Sequence, residues 1–196
     1  SRSSAASDVY KRQMNHYGQM KNADWGSPDS IIEPARNFLG GTIELDPCSS
    51  EFRNQTVGAK EWRGIEHINP LTGIPDQGWE DFESFFINPP GGKFGKVTLA
   101  KIFWRKMLSV VEKKPGVKFV WVAYNINQLQ VLQGVSENFD WSKLYVCVPN
   151  KRIAYLDKEN VPSRETPAAS AIIGYGGAFE EFKEAFRELG VCFAGQ

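Results

Sequence analysis

The chain of 196 residues balances 23 Lys and Arg against 23 Asp and Glu, and 41% of it is hydrophobic and 13% aromatic. That is enough apolar material for one folded unit to build a core without disulfides or metal. Cys48, Cys147 and Cys192 are odd in number and far apart, and beside them stand only His16 and His67. No disulfide framework or zinc spacing can be drawn from these, so a reducing, cytoplasmic setting without a metal is expected. No run has the character of a membrane span or a secretory leader, and a monomer with no membrane partner is expected.

The zero net charge hides a segregation. Residues 14–92 carry 5 basic and 12 acidic side chains, whereas residues 93–164 carry 13 and 5. A basic block of this kind suggests a side facing a polyanion, the plain alternative being a solvated lysine-rich helix face.

Residues 1–13 have no periodicity and are set apart as a leader, disordered or non-native, from a single domain over 14–196. The stretch Asp8-Val9-Tyr10-Lys11-Arg12-Gln13 resembles the translation of a transposon-end adapter, which makes Met14 the natural start; the competing reading is a disordered native arm. Trp25-Gly26-Ser27-Pro28 then leads into a helical pattern over 29–39, with Ser27 placed as N-cap and Pro28 as first helical residue. Trp25 can stack on a flat ring or plug the core. Gly40-Gly41 ends the helix, and Thr42 to Cys48 reads as a strand that stops on Asp46 and Pro47. An acid at a strand's carboxyl end can accept from ligand hydroxyl or ammonium groups, and Asp-Pro is also an ordinary turn start. A short second strand is expected near 57–62, with Glu61 a candidate ribose-binding acid, followed by a Pro- and Gly-rich loop over 69–79 containing Asp76.

Phe85-Phe86-Ile87-Asn88-Pro89-Pro90 is an apolar run that ends abruptly on a polar amide and two prolines. It reads as a buried strand, and in an open α/β sheet ligands sit beyond the carboxyl ends of such strands. A side-chain amide offers both donor and acceptor, and the prolines fix the direction of neighbouring carbonyls, so two acceptors could grip one exocyclic amine. Read alone, Asn-Pro-Pro-Gly is also a turn. A helix follows over 96–112, then strands at 117–124, 143–149 and 170–175, a short helix at 128–133, a basic loop at 150–155 with Lys151 and Arg152, and an amphipathic helix stopped by Gly190 before a short apolar tail. Lys101, Arg105, Lys106 and Lys113 are expected on the outer face of the long helix. This alternation implies an α/β fold: a mainly parallel sheet with an antiparallel edge and helices on both faces.

Taken together, Trp25-Gly26-Ser27-Pro28, Leu45-Asp46-Pro47-Cys48 and Asn88-Pro89-Pro90 resemble, in that order, the motifs of the phage-type DNA N6-adenine methyltransferases, the Dam-like enzymes of phages and prophages. The likeness extends over most of residues 22–190. It implies a Rossmann-like methyltransferase sheet, S-adenosylmethionine as cofactor, DNA as partner in a bacterial host cytoplasm, and a role such as protection from restriction. It further implies catalysis at Asn88, Pro89 and Pro90, cofactor contacts from Trp25, Ser27, Pro28, Asp46 and Pro47, and DNA contacts from Lys93, Phe94, Lys96, Lys151 and Arg152. Where the family usually has an aromatic after Pro90, this chain has Gly91, and Phe94 is the nearest ring that can take over stacking on a flipped base. Cytosine N4, RNA or protein glutamine as substrate, or a non-catalytic nucleic-acid-binding relative, remain the alternatives.

Overall fold

The computed structural model describes residues 25–64, 67, 78–136, 138–163 and 169–195. The expectations attached to residues 1–13 and to Asp76 lie outside the described residues.

The fold is built outward from Ser84–Ile87 (β3), whose four residues are all buried. It pairs in parallel with Leu45–Asp46 (β1) on one side and Lys118–Ala123 (β6) on the other. Glu61–Trp62 (β2) extends the sheet beyond β1, also in parallel. Beyond β6 the direction reverses: Ala171–Tyr175 (β8), Leu144–Pro149 (β7) and Gly190–Ala194 (β9) add three antiparallel pairings. The seven-stranded order is therefore β2-β1-β3-β6-β8-β7-β9. It joins the expected parallel half to an antiparallel half of three strands.

Successive side chains of β3 point to opposite faces, so one strand seeds two cores. Phe85 and Ile87 pack with Leu99, Phe103, Trp104, Met107 and Val110 of the helix Leu99–Lys113 (α3). Phe86 packs on the other face with Ile31, Ile32, Ala35 and Phe38 of Asp29–Phe38 (α1) and with Phe182 and Phe186 of Phe179–Phe186 (α5). The two layers explain why the strand is apolar without alternation.

Four local expectations are corrected. Ser27 does not cap α1: Pro28 is the N-cap, its carbonyl accepting from the N–H groups of Ile31 and Ile32. The second strand does not begin at 57: Val57 closes a helix, Glu51–Val57 (α2), whose N-cap Ser50 accepts from the Arg53 N–H. The long helix starts at Leu99 rather than at 96, because Lys93–Phe94 (β4) and Val97–Thr98 (β5) first form a tight antiparallel hairpin. The apolar tail is strand β9, paired along β7. A further short helix, Gln128–Gln133 (α4), stands where expected. No helix among the described residues is long and apolar enough to cross a membrane.

Candidate functional site

Strands β1, β3 and β6 are neighbours running in one direction, so Asp46, Asn88 and Tyr124 arrive at the same end of the sheet. A crevice of about 430 Å³, its open mouth included, is lined there by residues that include Trp25, Ser27, Asp46, Arg53 and Asn88. The enclosed part of that volume is only about 30 Å³, room for about one or two water molecules, and the remainder is open to solvent.

Asn88 is half-buried, and its amide nitrogen donates to the Trp25 carbonyl at 2.7 Å and to the Ser27 hydroxyl at 3.2 Å. Both amide hydrogens are thereby used, while no donor among the described residues meets Oδ1. Asp46 lies 3% exposed and accepts the Cys48 N–H at 3.0 Å. Burial pushes its carboxyl up to about 7, against the opposing pull of the Cys48 N–H and the Ser49 hydroxyl. Burial first, and then the Asp46 charge, hold the Cys48 thiol well above its ordinary value, which makes it a poor thiolate nucleophile.

The amino-terminal wall is held from far along the chain. Gly26 and Leu156 exchange both backbone hydrogen bonds as an isolated antiparallel bridge, at 2.9 and 2.8 Å. A side chain on Gly26 has no room, since a Cβ there would stand 2.5 Å from Arg53 Nη1. Arg53 itself is 6% exposed and donates to the Asp157 carbonyl at 2.8 Å and to Asn160 Oδ1 at 2.5 Å. Asn160 holds a left-handed φ of 59°, and its amide donates onward to Thr56 Oγ1 at 3.3 Å. A strained residue so tied to two points of α2 stiffens this side of the crevice.

Above the crevice runs a ladder of rings. Tyr155 is buried, its centroid 4.9 Å from that of Tyr124, and Tyr124 stacks on Trp25 with centroids 6.2 Å apart and planes 28° apart. Ser170 ties the ladder together by accepting from the Tyr155 hydroxyl and donating to the Tyr124 carbonyl, each at 3.0 Å.

Of the residues singled out from sequence, Trp25, Ser27, Asp46, Asn88 and Pro90 line the crevice, Pro47 and Pro89 are buried beside it, and Pro28 heads α1. Glu61 is exposed on β2 and pairs with Arg63 at 3.1 Å instead of facing the crevice. Phe94 packs partly buried against the α3-side core, and Gly91 is exposed. Arg53, Thr56, Leu156 and Asn160 are crevice residues that sequence reasoning missed; a lone Arg in a short helix and an Asn in a charged loop carry no sequence signal that they meet.

The basic block divides in two. At the amino ends of β3 and β6 its lysines are engaged: Lys106 and Lys113 with Glu80 at 3.6 and 2.9 Å, Lys114 with Glu83, and Lys118 with Glu181 at 2.9 Å. The expectation of an outer-face position holds for Lys113, 61% exposed although paired, and is corrected for Lys106, 12% exposed beside Glu80. Lys93, Lys96, Lys151 and Arg152 are exposed, and among the described residues no carboxylate pairs with them. Strand β7 runs in the direction of β6, so Lys151 and Arg152 leave the sheet on the same side as Asn88. The free cations and the crevice thus share one end of the molecule. No group of three or more His, Cys, Asp or Glu gathers as a metal site among the described residues.

No family model matches the chain, and no curated protein matches it. Among solved structures, it is similar to the crystal structure of SMU.1697c, a candidate methyltransferase from Streptococcus mutans in complex with SAH. Identity is 13% and the TM-score 0.39, over 74% of this chain and 97% of that one. A likeness this loose carries no weight for the site.

Proposed function

We propose that this protein transfers a methyl group from S-adenosylmethionine to the exocyclic amine of a nucleobase, with N6 of adenine in DNA as the leading substrate. The observation that carries the reading is the meeting of Asn88-Pro89 and Asp46 on adjacent parallel strand ends, around one crevice and on the side where the free cations lie. The donor and acceptor set fits the cofactor. Asp46 would accept from its hydroxyl or ammonium groups, Trp25 would face its flat ring, and the Trp25-Gly26-Ser27 backbone would border it. When bound, it supplies a methyl on a sulfonium.

An aromatic amine is a poor nucleophile because its lone pair is delocalised into the ring. Asn88 Oδ1 and the Pro89 carbonyl would accept the two amine hydrogens, localising the lone pair and holding the nitrogen for direct displacement. The nitrogen so held would form its bond to the methyl carbon as the carbon's bond to sulfur is lost, and the surplus amine proton would pass to solvent. No covalent enzyme intermediate is required, in keeping with a Cys48 thiol that burial holds protonated. Lys93, Lys96, Lys151 and Arg152 would neutralise phosphates flanking an extruded base.

The test is incubation of the chain with labelled S-adenosylmethionine and unmethylated DNA, RNA or a glutamine-bearing protein, followed by mass spectrometry of the products. N6-methyladenine that falls at least about a hundredfold in Asn88→Ala supports both reaction and site. Label in N4-methylcytosine, RNA or glutamine keeps the amine chemistry and moves the substrate. No label in any of them, with no cofactor bound, leaves the nucleic-acid-binding reading.

A further inference from the structure

Asn88 is half-buried at a strand end, and a side-chain amide can present either its oxygen or its nitrogen to a ligand. Here the choice is closed. Both amide hydrogens are taken, one by the Trp25 carbonyl at 2.7 Å and the other by the Ser27 hydroxyl at 3.2 Å. Trp25 O can only accept, so the group that faces it has to be a donor. A flipped amide would set Oδ1 against that carbonyl, two acceptors at hydrogen-bonding distance, and would leave one of them buried without a proton.

The partners of the amide are themselves immobile. Ser27 is 4% exposed, and Gly26 between the two anchors is pinned by its double bond to Leu156. Ser27 is free for this task because Pro28, not Ser27, caps α1. We infer that Ser27 and the Trp25 carbonyl are a positioning pair that locks Asn88 as an obligate acceptor, so that the site admits groups that donate, such as an exocyclic amine, and turns away carbonyl edges. This rests on the methyltransferase reading for the identity of the substrate, but the lock itself does not.

The lock has a consequence for position 88 itself. Aspartate has the same shape but no hydrogen to give, so Asn88→Asp sets a carboxylate against the Trp25 carbonyl. Only its protonated form restores a donor toward Trp25 while keeping an acceptor toward the ligand. The inference thus demands that Asn88→Asp be weak at neutral pH and recover as the pH falls, although a carboxylate is the stronger acceptor.

Two measurements decide it. In the first, side-chain amide hydrogen exchange of Asn88 is followed by NMR in the wild type, Ser27→Ala and Ser27→Thr. Protection in the wild type that is lost in Ser27→Ala and regained in Ser27→Thr is expected; equal exchange in all three overturns the lock, whatever the protein's activity. In the second, methyl transfer is measured from pH 5 to 8 with S-adenosylhomocysteine affinity alongside. Ser27→Ala is expected to lower kcat about tenfold with that affinity changed less than about threefold, and Ser27→Thr to restore it. At saturating S-adenosylmethionine, Asn88→Asp is expected to gain activity relative to the wild type toward pH 5, and activity at pH 8 equal to that of the wild type overturns the inference. If the wild type itself transfers no methyl group, the proposed reaction fails while the exchange measurement still decides the lock.

Discussion

Replacing Asp46 by Asn should make the protein more stable at alkaline pH and remove a pH dependence. The carboxyl is 3% exposed and burial raises it from 3.8 to about 7. A group whose folded value is raised contributes stability that is fully present below its unfolded value and lost as pH climbs through the folded one. A shift of that size corresponds to about 4 kcal/mol at most, at 1.36 kcal/mol per unit. Asn is isosteric and its oxygen can still accept the Cys48 N–H, so the variant keeps the local bond and never carries the buried charge. Urea unfolding at intervals from pH 4 to 8 measures the difference directly. The two proteins should differ by less than about 1 kcal/mol near pH 4, and the Asp46→Asn protein should lead progressively between pH 4 and 7, reaching a plateau near pH 8. Taking the difference cancels groups such as Glu80, which titrate in both proteins. A gap that does not change with pH would refute the claim that Asp46 is buried as an acid.

The same titration should appear in ligand binding: S-adenosylhomocysteine should bind the wild type about tenfold more weakly at pH 6 than at pH 8, and Asp46→Asn weakly at both, by calorimetry. The side chains of Lys113 and Lys106 hold Glu80 down to about 2, so stability from this cluster is present above the usual carboxylate range and lost as pH falls through about 2; Glu80→Gln should cost less than about 1 kcal/mol at pH 7 and progressively less as the pH falls through about 2, by urea unfolding. Neutralising Lys93 with Lys96, or Lys151 with Arg152, should weaken DNA binding and reduce its salt slope by about 1 for every phosphate left without its cation, while Lys113→Gln should leave the slope unchanged, by fluorescence titration. Gly174→Ala would set a Cβ 2.5 Å from the Phe182 ring and should lower stability by about 1–3 kcal/mol.

The sequence made legible what is written locally. The buried strand 84–87 announces itself by the consecutive apolar residues Phe85, Phe86 and Ile87, and α3 by a stripe recurring through Leu99, Phe103, Met107 and Val110. What escaped was set by partners far along the chain. Seven residues of α2 are too few to show a stripe, and only Ser50 and Gly58 at its ends mark it. The Lys93–Thr98 hairpin merges by pattern into the following helix because Val97 and Leu99 fit either period. Strand β9 gains its identity only by lying along β7, where Cys192 stands opposite Cys147. In the site, Asn88, Asp46 and Trp25 were recognisable because each sits at a break in pattern. That Ser27 turns to Asn88 instead of the helix it precedes, and that Arg53 reaches Asn160 across 107 positions, are facts of tertiary assembly with no local trace.

The Gly26–Leu156 bridge also dictates when the site can exist. It joins residues far apart in the sequence, and closing so wide a loop costs entropy that tertiary packing has to offset. During synthesis, a ribosome that has not yet released residue 156 holds a chain with β3 already present but no anchor for Trp25 and Ser27, and therefore no oriented amide. In the finished protein, amide exchange at Gly26 and Leu156 would gauge how much of the population holds Trp25 and Ser27 in place around the amide.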